Sequence, residues 1–110
     1  MALHHAQTGE LIDVRPYGND IKNSSTKALY KSDCLEVIRM TLLKDRATPA
    51  HHVRGAISVQ CIEGSIEFSA AGTTQKMVAG DLICLAGGEV HALKALEDSS
   101  VLVTIQLPPK

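Results

Sequence analysis

The sequence predicts an all-β barrel, and three observations carry that expectation. From about Thr26 onward, short β-prone runs are separated by Gly, Asp, Asn, Ser or Pro at intervals of roughly 6 to 12 residues, the spacing of a sandwich or barrel. Helical periodicity is sustained nowhere. Three turn signals, Glu63-Gly64, Ala71-Gly72-Thr73 and Ala79-Gly80-Asp81, follow one another closely. At 110 residues the chain is the size of one domain, which buries about two-thirds of its unfolded surface. Residues 1–25 are expected to pack as a strand and loop on a barrel formed by residues 26–110.

Taken in order, Glu10 to Arg15 alternates as a strand does, and Pro16 to Ser25 is polar and loop-like. Leu35 to Leu43 puts Ile38, Met40 and Leu42 on one face and Arg39 and Thr41 on the other, as a half-buried strand requires. Lys44-Asp45-Arg46 then turns the chain. Pro49 favours extended backbone in the residue before it. Ala56 to Ile62 alternates again, with Ile57, Val59 and Cys61 sharing a face. Ser65 to Ala70 returns antiparallel after the turn at Glu63-Gly64, and with Gln75 to Val78 the turns together imply a meander. Leu82 to Leu85 is a short apolar run, Ala86 to Glu89 a loop and His91 to Ala95 a strand. Ser100 to Leu107 is the last strand, stopped by Pro108-Pro109.

Composition excludes several classes of function. The formal net charge is −1 and the Lys and Arg residues are scattered, so neither nucleic acid nor a membrane surface is an expected partner. No apolar run nears the roughly 18 residues of a spanning helix. The first ten residues have neither the basic start nor the apolar stretch of a secretory signal, so the expected location is the cytoplasm. Cys34, Cys61 and Cys84 are odd in number and far apart, which fits neither a disulfide framework nor a Cys-x-x-Cys zinc site. They are expected to be reduced and mostly in the core. Aromatic residues are 3% of the chain, which disfavours recognition of bases or sugars by stacking. Hydrophobic residues are 45%, and an apolar outer sheet face in so short a chain needs cover, so a homodimer is expected.

Two short patterns narrow the fold. Gly80, then five residues, then Ala86, Gly88 and His91 follow the spacing Gly-x5-Pro-x-Gly-x2-His, with Ala86 in the proline position and Ala95 where an Asn is usual. Upstream, Pro49 and His51 precede Gly64, which lies thirteen residues past His51. Over roughly Leu35 to Leu107 the chain resembles the cupin family, whose double-stranded β-helix, or jelly-roll barrel, carries both motifs. The resemblance implies a barrel with a metal centre of three histidines and a Glu or Gln. Only His51 and His91 fall on those positions, because Val53 stands where the second histidine belongs and Ile57 where the carboxylate belongs.

A first-row ion in such a pocket takes three imidazoles and a carboxylate, leaving open positions for water or substrate. His52 adds a third nitrogen only if a bulge turns it inward, since neighbouring residues on a strand point to opposite faces. Cys61 shares a face with Ile57 and Val59 and approaches the cavity as a soft ligand, or else is an inert buried thiol. His4-His5 lies where chain ends fray. Glu63, Glu67 and Glu89 read as turn or outer-face carboxylates. No Ser/His/Asp set or phosphate-cradling loop appears at usable spacing.

Three functions follow from the resemblance. The first is a small-molecule-binding cupin whose interior is lined by His51, His91, Val53, Ile57, Val59 and Cys61, with or without a divalent ion (Fe, Mn, Ni or Zn). The second is a metal-dependent oxygenase or isomerase using His51, His52 and His91. The third is a non-catalytic dimeric module.

Overall fold

The computed structural model describes residues 5–109. Eight strands are found among them: β1 (Lys27–Lys31), β2 (Leu35–Leu42), β3 (Ile57–Glu63), β4 (Ser65–Ala70), β5 (Thr73–Val78), β6 (Leu82–Leu85), β7 (His91–Ala95) and β8 (Ser99–Gln106). They form two antiparallel sheets, one in the order β1-β2-β8-β3-β6 and the other β5-β4-β7. Residues 45–51 extend the smaller sheet beyond β7. Asp45 N–H donates to the Ala95 carbonyl (2.9 Å), Ala95 N–H to that of Arg46 (2.9 Å), and His51 and His91 exchange both bonds (3.0 and 2.8 Å). Among the described residues no helix is long and apolar enough to cross a membrane.

Alternation puts the core between the sheets. Ile38, Met40 and Leu42 of β2 face Val59 and Cys61 of β3, Val101 and Val103 of β8, and Ile66, Phe68, Leu93 and Ala95 of the opposite sheet. The registers Ile38↔Val103 and Val103↔Val59 keep that face apolar across three strands, as burial requires.

The turns do not make a meander. β3 and β4 lie in different sheets, and β6 pairs with β3 rather than β5. The signal at Glu63-Gly64 marks a switch of sheet, because β3 finds its hydrogen-bonding partners in β6 and β8, which come later in the chain. Gly64 makes that switch at φ +83°, and a Cβ there would collide with the Ser99 hydroxyl and the Asp98 carbonyl. Gly64→Ala therefore combines left-handed strain with a clash against backbone, at a cost of about 2–3 kcal/mol. Chemical denaturation of the variant measures it, and an unchanged midpoint would contradict the assignment.

Glu10 to Arg15 is not a strand, and residues 18–23 form a 3-10 helix (Gly18–Asn23) rather than a loop. The alternation in 10–15 is real, with Ile12 and Val14 half-buried and Leu11 96% exposed. Strand formation fails because the segment is pinned by side chains instead of a ladder. Arg39 points to the outer face of the large sheet and is nonetheless only 2% exposed. Its Nη2 donates to the Arg15 carbonyl (2.9 Å), the Ser100 hydroxyl (3.0 Å) and the Glu63 carboxylate (3.3 Å), and the Tyr17 ring lies 4.1 Å from its guanidinium carbon. Glu63 accepts from Tyr17 N–H (2.9 Å), Gly18 N–H (3.0 Å) and the Ser100 hydroxyl (2.6 Å). Glu63, expected as a bland turn carboxylate, is thus the centre of a largely buried network.

The cysteines also depart from expectation. Cys61 is buried, but Cys34 and Cys84 are exposed, because alternation on β6 assigns Ile83 and Leu85 to the core and leaves Cys84 outside.

Candidate histidine site

His51 and His91 are adjacent across the pairing of residues 45–51 with β7 and share a face. Their ring centres are 4.5 Å apart and tilted by 54°. His91 is 2% exposed and stacks on Phe68 at 5.9 Å with planes 4° apart, whereas His51 is exposed. One ring is thus fixed by the core and the other stands in solvent.

Each ring is oriented by its own backbone. His51 Nδ1 lies 2.9 Å from the Pro49 carbonyl and His91 Nδ1 3.0 Å from that of Glu89. A carbonyl oxygen only accepts, so each Nδ1 carries a proton, which in the neutral ring leaves the lone pair on Nε2. Arg39 Nε is the one buried side-chain nitrogen or oxygen without a partner among the described residues. His91 Nε2 has no hydrogen-bond partner among the described residues.

The other expected site residues are distributed along the barrel. Val53 packs half-buried against the core and Ile57 is buried, paired with Leu85 and Ile105 at the same end as the histidines. His52, between His51 and Val53, is exposed. Val59 lies deeper in the packed interior. Cys61 is at the opposite end, donating weakly to the carbonyls of Glu63 (3.5 Å) and Gly64 (3.8 Å). Burial pushes its thiol pKa up and the charge of Asp81 adds to this, so at neutral pH the thiol is protonated. His4 lies outside the described residues. Among the described residues no three His, Cys, Asp or Glu side chains are grouped to hold a metal ion.

No family model matches the chain, and no curated protein matches it. Solved structures do. A conserved protein of unknown function from Streptococcus pyogenes covers all of both chains at 20% identity and a TM-score of 0.75. A cupin superfamily protein from Desulfitobacterium hafniense matches 89% of this chain and 95% of its own at 13% identity and a TM-score of 0.75. An RmlC-like cupin from Desulfovibrio desulfuricans matches 96% and 99% at 23% identity and a TM-score of 0.70. The chain has the cupin fold.

Within the cupin barrel, the two histidines at the expected positions do come together. The positions of the two absent ligands are taken by side chains that pack with the core. What remains has two nitrogen donors, which does not fit a three-histidine, one-carboxylate centre. No signal in the sequence pointed to Phe68 as the ring that fixes His91.

Proposed function

We propose that this cupin binds a small hydroxyl-bearing molecule, with His51 and His91 as polar contacts and Val53 and Ile57 beside them. What carries this reading is the Nδ1–H contact of each ring with a backbone carbonyl, which in the neutral rings leaves two neighbouring Nε2 acceptors for ligand hydroxyls. A divalent ion is held only loosely there. Two imidazole nitrogens are the donors it would find there. Two bonds without a carboxylate are too few for tight retention.

Thermal unfolding against a panel of sugars and hydroxy acids, beside elemental analysis of dialysed protein, tests this. A true ligand at a hundred times its Kd should stabilise the protein by about 2.7 kcal/mol. His51→Ala and His91→Ala should each remove most of that gain. Zn2+ should titrate weakly and be lost on dialysis. One ion per chain surviving dialysis, or ligand binding unaffected by both substitutions, would overturn the proposal.

A further inference from the structure

A cavity of about 700 Å³ opens between the β1–β2 turn and the chain that follows β8. Its walls carry two cations, Lys31 and Arg54, and one carboxylate, Asp33; Leu107, Pro108 and Pro109 supply an apolar surface. Neither Lys31 nor Arg54 has an ion-pair partner among the described residues. The cavity therefore presents an unneutralised positive charge beside a surface that cannot donate hydrogen bonds, since proline lacks an N–H.

The placement of these groups is built into the backbone. Ser32 N–H donates to the Leu35 carbonyl and Leu107 N–H to that of Cys34 (2.8 and 2.9 Å), which ties the turn to the segment after β8. Arg54 is set by two close approaches. A Cβ on Gly55 would collide with the Gln106 carbonyl, and one on Gly87 with the carbonyl of Arg54 itself. Glycine at both positions lets residues 54 and 55 lie flat between the end of β8 and the loop before β7. The Arg54 side chain then leaves from a fixed point at the cavity wall.

We propose that this cavity is a binding site for a small carboxylate with a short apolar body. The Arg54 guanidinium takes the carboxylate through two parallel hydrogen bonds, with the Lys31 ammonium as the second charge. The apolar body lies against Leu107, Pro108 and Pro109. The site is separate from the histidine pair and does not depend on it.

Titration calorimetry of the full chain with hexanoate, with hexan-1-ol as the uncharged control, tests the proposal. Hexanoate should bind, hexan-1-ol at least about tenfold more weakly, and raising salt from roughly 10 to 200 mM should weaken hexanoate binding. R54Q should lower the affinity about tenfold and K31Q/R54Q should abolish binding. His91→Gln, which removes the site proposed above, should leave it unchanged. Lys31 and Arg54 are exposed, so both variants should melt with the wild type. No hexanoate binding, equal binding of the alcohol, or unchanged affinity in K31Q/R54Q would overturn the proposal. So would loss of binding in His91→Gln, which would place the anion at the imidazoles.

Discussion

Replacing Glu63 by Ala is expected to destabilise the protein by about 3–5 kcal/mol, lowering the thermal midpoint by about 10–20 °C. The loss is large because of what the carboxylate leaves behind. Arg39 would remain buried with its charge uncompensated, while Tyr17 N–H, Gly18 N–H and the Ser100 hydroxyl would lose their common acceptor. Removing both charges together, as in Arg39→Met with Glu63→Leu, should cost less than the sum of the two single changes. A double-mutant cycle by chemical denaturation reads that coupling directly, and additive costs would show that the pair does not act as a unit.

The same carboxylate shapes the acid limb of stability. Burial alone would raise its pKa, but the Ser100 hydroxyl, the Tyr17 and Gly18 amides and Arg39 together outweigh that and hold it below the ordinary carboxylate value. A pKa lower in the folded than in the unfolded chain adds stability above the unfolded value of about 4.5, lost as pH falls through the lowered folded value. Wild type should therefore lose stability below about pH 4.5 more steeply than Glu63→Gln. Parallel slopes in urea midpoints between pH 3 and 6 would contradict this.

Phe68→Ala is the second large effect, at about 3–5 kcal/mol. Phe68 is 1% exposed, so truncating it leaves a cavity inside the close-packed core. It also removes the surface on which the His91 ring is stacked. Phe68→Leu should recover much of the stability without restoring the flat contact. If the stack orients His91, ligand affinity in Phe68→Leu stays below wild type at a temperature where both are folded. Equal affinities would reduce Phe68 to a packing role.

The sequence made the strands legible because alternation is a local property, and β2, β3, β7 and β8 lie within a residue or two of where their apolar faces end. Sheet partnership is not local. Gly64 looks the same in a hairpin as in a crossing between sheets, and only the later strands decide which it is. The His51–His91 pair was legible because its spacing follows two turns that the fold requires. Glu63 was not, since nothing near it in sequence foretells that Arg39, two strands away, turns its charge toward the outer face under Tyr17. Arg54 was hidden for a related reason: a scattered cation becomes notable only when Gly55 and Gly87 let its backbone lie flat.

β8 lies between β2 and β3 in the large sheet, so its register joins residues about sixty positions apart, as in Ile38↔Val103, to others such as Val59↔Val103. Such pairings close long loops before they return any stabilisation, which places folding in the slow range for a domain of this size. During synthesis β2 and β3 therefore wait, each with one edge unpaired, until residues 99–106 have left the ribosome. The interval of greatest exposure to aggregation lasts until that strand inserts between two that already exist.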